Sequence, residues 1–376
     1  MSRNTLCSAD AHFSLPVDVL CVIFDMLKSL DGRPLHDSSS TFVQSLRWIH
    51  ETLHVSRFWR KTALSASFLW ADIIVTASTP WALEFAHRSR KAPIRISTHL
   101  PYTIPKIRRD SKFSECTKSL LHENKERIRE LSLEVENLVN NVFLDETAFS
   151  GPAFAILEGL QIRHHDRSSF FLTNETLRAP KLKRLFLVNC SVKGDFGSYH
   201  NLSHLSIIGP KVSPLPTAIF LSKALLEMAN LEKLNLLEWP FELFPTSTID
   251  FETEVATLPK LREVAFQGWP IEWVISVLRL IRCGPQRDLW ATVIRANRLE
   301  QVVRLFACIM SHAKESSSIT HMILGFDPMK KVIAHLWREG VTCAVINLTV
   351  SLHPQLGVPQ QGLGPTLHLL DGCCAG

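Results

Sequence analysis

The chain has 376 residues, 46% of them hydrophobic and 20% charged, and carries a formal net charge of +5. That length suits one large domain or two, and the composition is that of a globular protein. The mild charge, with no dense Lys/Arg face interleaved with aromatics, argues against nucleic acid as a partner; no run approaches the ~18 apolar residues that cross a bilayer, which argues against a membrane.

The opening MSRNTLCSADAHF (1–13) has no apolar core and is expected to be a disordered N-terminus rather than a secretory leader. Nine cysteines without paired spacing fit a reducing compartment, so the sequons at Asn174, Asn201 and Asn347 are not expected to carry sugar. From Ser14 a short helical module is predicted. Ser14 can cap a helix, Pro16 suits its first turn, and Asp18 complements its dipole. Val19, Leu20, Ile23, Phe24 and Leu27 make one apolar stripe on a helix of about 11–12 residues. The polar run DGRPLHDSSS (31–40) ends it. A second helix is predicted from about Phe42 to His54, with Leu46, Ile49 and Leu53 on one face, and a third from about Val55 to Ala66. Trp59 is the expected centre of their packing, and its truncation when buried would cost about 3–5 kcal/mol.

Leu15-Pro16, Leu20, Ile23-Phe24, then Val55-x-x-x-Trp59 and a trailing Leu69-Trp70 resemble the F-box, in the style of the expanded fungal families, over Ser14 to Ile74. The insert between Lys28 and Thr41 departs from the short turn usual there. The resemblance implies docking on the Skp-type adaptor of an SCF (cullin-RING) ubiquitin ligase. Carried over to this sequence, it makes Leu15, Pro16, Val19, Leu20, Ile23, Phe24, Val55 and Trp59 the adaptor-binding candidates. The alternative is that all eight are ordinary three-helix core.

HRSRK (87–91) and KIRRDSK (106–112) are the basic clusters, and both read as solvated loops. ADIIVT (71–76) and APIRIS (92–97) read as strands bridging the helical module to the region after residue 120. In that region the template L-x-x-L-x-L recurs from Ile128, Leu157, Leu182, Leu202, Leu231, Leu261 and Ile319, with a weaker copy from Leu289 whose middle slot is Thr292. The offsets of 20 to 30 residues sit at and slightly above the ~20–29 residue period of leucine-rich repeats; unrelated βα units of a compact α/β fold are the alternative, one that explains a few copies more readily than eight. Trp239-Pro240 and Trp269-Pro270 repeat within two of the copies. Each copy is predicted to be a short strand, with helical stretches at 222–229, 271–281, 298–310 and 328–339 between them.

The fold class expected is therefore α/β: a three-helix F-box followed by a solenoid resembling leucine-rich repeats, with a curved parallel sheet. The Asn/Cys position of that repeat family is met only by Cys190 and Asn297, so the copies are irregular. The expected division is 1–13 N-terminus, 14–70 F-box, 71–120 linker with bridging strands, 121–350 repeats, and a Gly- and Pro-containing irregular tail over 351–376. The terminal Cys373-Cys374-Ala375-Gly376 is a poor prenylation box, ending in Gly with no polybasic run before it.

Strand alternation sends the third, fifth and seventh template residues to one face. On the middle copies this face gathers the substrate-binding candidates Phe186, Val188, Ile208 and Leu237, with Arg184 and Lys233 as a basic rim. Either a target protein docks there, or a segment such as KVSPLPTAIF (211–220) covers the patch. The chain has no phosphate loop, G-x-S-x-G, H-E-x-x-H or C-x-x-C, and His164-His165 would point to opposite faces. No catalytic residue, metal or cofactor is expected. The function implied is substrate reception for the ligase, in the cytoplasm or nucleus, with an unknown target as second partner. The alternatives are a scaffold acting outside ubiquitination and a divergent copy with little retained function.

Overall fold

Helix α1 (Val17–Asp31) starts just after Pro16, whose carbonyl accepts the Leu20 N–H at 3.1 Å. In this computed structural model the described residues are 15–31, 46–76, 79–98, 111–135, 154–164, 170–173, 178–193, 199–209, 224–237, 256–267, 271–283, 288–296, 304–305, 307–308, 319–327, 331–338 and 346–352. Ser14, the insert at 32–45, the segment 211–220, both Trp-Pro pairs and residues 353–376 lie outside them. Two units divide the chain between Leu120 and Leu121.

In the first unit, α1 buries Leu20 and Phe24 completely, while α2 (Arg47–Leu53) buries Trp48, Ile49 and Thr52. Helix α3 (Arg57–Ser65) is capped by Ser56, whose hydroxyl accepts the Trp59 N–H at 3.1 Å. A 3₁₀ turn (Ser67–Trp70) then folds the chain back and buries Leu69 and Trp70. The packing centre is not Trp59, which is half-buried and meets Phe24 edge-on with the ring centroids 5.3 Å apart. It is Trp70. The Trp70 Nε1–H donates to the Ala63 carbonyl at 2.9 Å, and its ring lies 5.6 Å from Trp48 and 5.1 Å from Phe85. The Arg88 guanidinium sits 4.8 Å above the same ring.

Lys28, in the last turn of α1, ties the helices to the next strand. Its ammonium lies 2.6 Å from Asp72 and donates to the Leu69 carbonyl at 2.9 Å. Asp72 opens β1 (Asp72–Val75), which pairs in parallel with β2 (Ile94–Thr98) across α4 (Thr79–Arg88). Both strands agree with the sequence-based expectation. The helix between them is an addition to it: α4 buries only Ala82 and Phe85, a stripe too narrow to announce itself in sequence. Helix α5 (Ser111–Asn124) follows.

The second unit is mixed α/β around a largely parallel sheet. Its strands are β3 (Ile128–Val135), β4 (Gly159–His164), β6 (Arg184–Val188), β8 (His204–Ile208), β9 (Lys233–Leu237), β11 (Glu263–Gln267) and β13 (Asp288–Ala296), parallel in that order. Two further parallel pairs form, β5 (Phe170–Thr173) with β7 (Cys190–Lys193) and β10 (Ala256–Leu258) with β12 (Ile281–Cys283). Helix α6 (Ile271–Leu280) fills one predicted helical stretch, and 224–226 is helical within another.

The first six template copies enter this sheet in a single register: Glu130, Gly159, Arg184, His204, Lys233 and Glu263 stand side by side. The template's apolar positions are buried in every one of them: Ile128, Leu131 and Leu133 in the first, Leu182, Leu185 and Leu187 in the third, Leu261, Val264 and Phe266 in the sixth. The backbone repeats as well. The carbonyls of Glu158, Lys183, Ser203 and Glu232 each accept two N–H groups from the start of the next strand, at 2.7–3.0 Å. A further buried row lies three residues ahead of each strand template: Lys125, Phe154, Ala179, Tyr199, Met228 and Leu258. Lys125 heads this row with its ammonium 4.8 Å from the centre of the Phe154 ring, and burial lowers its pKa.

Three expectations fail toward the end of the chain. Leu289 stands opposite Val264, so β13 lies three residues away from the register of the proposed weak copy, and Thr292 pairs in register with Gln267. The copy from Ile319 forms β14 (Ile319–Asp327), which is antiparallel to β15 (Lys331–Arg338) and does not continue the parallel array. The helix predicted over 328–339 is that same β15, antiparallel also to β16 (Ile346–Leu352), which pairs in parallel with β13. Val332, Ile333, Leu336 and Trp337 have helical spacing, yet their β-branched and aromatic side chains suit a strand equally.

Trp70→Ala removes a fully buried ring and a satisfied indole N–H, and is expected to destabilise the first unit by about 3–5 kcal/mol. Trp59→Ala should cost clearly less, because its ring is only half-buried; urea denaturation of the full chain compares the two.

Candidate functional site

Each unit presents one surface that its own core does not explain. On the first, α1 is apolar over more of its circumference than the unit covers. Leu20 and Phe24 point inward, and Ile23 and Leu27 are half-buried. Beside them Val19, Val22, Met26 and Leu30 form a second stripe at helical spacing, with Val22, Met26 and Leu30 60–62% exposed. The eight adaptor-binding candidates therefore separate. Leu15, Pro16, Val19 and Val55 are exposed, Ile23 and Trp59 half-buried, and Leu20 and Phe24 belong to the core. Sequence reasoning misses Val22, Met26 and Leu30 because its stripe is centred on the residues that turn out to be inside.

On the second unit, the face is ordered by the shared register into three rows across the strands. One row runs Glu130, Gly159, Arg184, His204, Lys233, Glu263, and the next Ser132, Gln161, Phe186, Ser206, Asn235, Ala265. The last runs Glu134, Arg163, Val188, Ile208, Leu237, Gln267. Val188, Ile208 and Leu237 are thus immediate neighbours, all half-buried, with Phe186 in the adjoining row. All six substrate-binding candidates lie on this one face.

The basic rim is not free charge. The Arg184 guanidinium reaches across Gly159 to Glu130 at 2.9 Å, and a Cβ on Gly159 would lie 3.3 Å from that guanidinium. Lys233 lies 2.6 Å from Glu263. At the strand starts Arg129 and Lys183 flank Glu158 at 2.9 and 3.2 Å, and their hydrogen bonds hold its carboxyl below the usual range. Arg163 lies over the Phe186 ring at 5.6 Å.

Between Arg184 and Lys233 stands His204. The Ser203 hydroxyl is within hydrogen-bond reach of the Lys183 carbonyl at 3.1 Å. The same hydroxyl oxygen lies 2.8 Å from His204 Nδ1, so the two side chains share a hydrogen bond. Desolvation lowers the His204 pKa, and Lys233 and Arg184 add to the effect against Glu232 and Glu263. Asn235 Oδ1 and Ser206 Oγ, on adjacent strands in register, are buried and have no hydrogen-bond partner among the described residues.

Among the described residues no group of three or more His, Cys, Asp or Glu could hold a metal ion, and no helix is long and apolar enough to cross a membrane. Cys190, on the predicted Asn/Cys position, is buried with its thiol pushed up to about 12 by desolvation. That is the state of a packing residue rather than a nucleophile.

Because folding lowers the His204 pKa, the unfolded chain binds this proton more readily. Its contribution leaves stability intact above the ordinary value of about 6.5 and erodes it as pH falls through the lower folded value. Urea denaturation at about pH 7.5 and about pH 5 should show a decline in stability that is smaller in His204→Gln.

No family model, no curated protein and no solved structure matches this chain, so its function has to be read from the two surfaces themselves.

Proposed function

We propose that the chain is a substrate-receptor subunit of an SCF-type (cullin-RING) ubiquitin ligase. Its N-terminal helices act as an F-box that binds the Skp-type adaptor, and its parallel-sheet unit acts as an irregular leucine-rich-repeat solenoid that binds a target protein. The chain itself performs no chemistry. It raises the effective concentration of the target near the ubiquitin donor by engaging both at once.

The observation that carries this reading is the second stripe of α1. A helix that already buries Leu20 and Phe24 has no internal use for Val19, Val22, Met26 and Leu30 on its solvent side. Exposed apolar side chains in one stripe mark a protein-binding surface. The motif residues around it, from Leu15-Pro16 to Leu69-Trp70, give that surface its expected partner. The sheet unit supports the second half of the reading through its in-register template and the single polar–apolar face on which the six candidates stand together.

The docking stripe is testable without disturbing the core. Val22→Asp with Met26→Asp should weaken co-purification with the Skp-type adaptor by at least about tenfold while leaving the thermal transition in place, since both side chains are exposed. Unchanged adaptor capture would remove the docking assignment. Leu20→Asp is the wrong probe, because it places a carboxylate in the core and unfolds the unit. Conversely, Phe186→Asp with Leu237→Asp should abolish target capture and spare adaptor binding, measured by pull-down with each partner. Adaptor binding without ubiquitination of any captured protein would point to a scaffold instead.

A further inference from the structure

Resting on the reading of the sheet face as a target-binding surface, we infer the class of target it takes: an uncharged, extended peptide segment rich in aliphatic side chains that brings a carboxamide, as Asn or Gln, to Asn235 and Ser206.

Two independent observations lead there. The first is charge. A face with Arg184 and Lys233 at its rim would ordinarily suit an acidic or phosphorylated segment. Here each cation is already closed by a carboxylate of the same sheet, Glu130 at 2.9 Å and Glu263 at 2.6 Å. The imidazole between them, His204, is held toward its neutral form by desolvation and by the two cations. An incoming phosphate would have to displace two ion pairs and would meet their carboxylates. A neutral segment meets no net charge.

The second observation is the pair of unmatched atoms. Ser206 is 7% exposed, and its Oγ, like the neighbouring Asn235 Oδ1, is buried with no partner among the described residues. A buried acceptor without a donor is costly, and the cost disappears only when something supplies an N–H or O–H. A carboxamide does so with two N–H groups and an oxygen in one plane, matching an acceptor beside a hydroxyl. The flanking row Val188, Ile208 and Leu237 is aliphatic, so the rest of the segment is apolar. Strands about 4.8 Å apart make the span from β4 to β11 roughly 20 Å, which about six to eight extended residues cross. Specificity comes from the same atoms: a peptide lacking the donor leaves them unmatched, so it is rejected more strongly than a change in apolar contact would achieve.

The test is a peptide array probed with the purified full chain. It holds segments of about 12 residues, long enough for that span, in neutral aliphatic sets with and without Asn or Gln, acidic sets and phosphorylated sets. The peptide 211–220 of the chain itself is included. Wild type is expected to select neutral aliphatic peptides bearing the amide. Asn235→Leu should reduce their binding about tenfold, the size of one hydrogen bond, and leave the amide-free aliphatic peptides unchanged. Its thermal transition and adaptor binding serve as folding controls. Selection of acidic or phosphorylated peptides that is lost in Phe186→Asp with Leu237→Asp would overturn the target class and keep the surface. So would indifference to Asn235→Leu. Binding that survives the double variant, or no binding by wild type, would overturn the surface itself and the inference with it. Preference for 211–220 over every other peptide would make that segment the occupant and overturn an external target.

Discussion

Register is the constraint on which the second unit depends. Side chains of a strand alternate with period two, so a slip of one residue in any strand would carry its buried pair to the opposite face and that face's residues into the core. Leu185 and Leu187 would change places with Arg184 and Phe186. Six strands hold the same register from β3 to β11, and their buried rows stay continuous as a result. The chemistry of the face is a by-product of that order. His204 lies between Arg184 and Lys233, and Ser206 beside Asn235, because their strands are aligned.

The first unit is organised differently, around one ring. Trp70 contacts Trp48 from α2, Phe85 and Arg88 from α4, and the Ala63 carbonyl of α3. The 3₁₀ turn that delivers it also supplies the Leu69 carbonyl to Lys28, which in turn reaches Asp72 at the head of β1. Helix α1 is thereby fixed on one side by apolar contacts and at its end by a charge. Its remaining apolar stripe can then stay exposed without the helix rolling inward to bury it.

Much of this is legible in the sequence, for identifiable reasons. The alternation within LKRLFL or LEKLNL is strong enough to place Leu185, Leu187, Leu234 and Leu236 inside and their neighbours outside, and the structure does so. Where sequence reasoning fails, the chemistry is less determinate. LWATVI fits the template only if Thr292 is forgiven, and the chain takes a different alignment. KKVIAHLWRE carries helical spacing in strand-forming residues, and pairing with β14 and β16 decides the outcome. The weight of Trp70 over Trp59 depends on a turn whose direction has no periodic signature. Nor does sequence show that Arg184 and Lys233 are neutralised, since Glu130 is brought to Arg184 from 54 positions away.

The strand exits carry one more consequence. Asn189 and Gly209 occupy the same template position, and both have positive φ, 54° and 58°, a conformation open to Gly and tolerated by Asn. Each donates its backbone N–H to the last residue of the following strand, Ile208 at 2.7 Å and Leu237 at 2.8 Å. With the strand starts similarly tied, both ends of these strands are pinned to their neighbours rather than to the chain that connects them. Spacing between copies can therefore drift, as the offsets from 20 to 30 residues show, at little entropic cost and without moving the face. Such a scaffold is free to acquire or lose connecting segments over evolution while the residues of the face stay where they are.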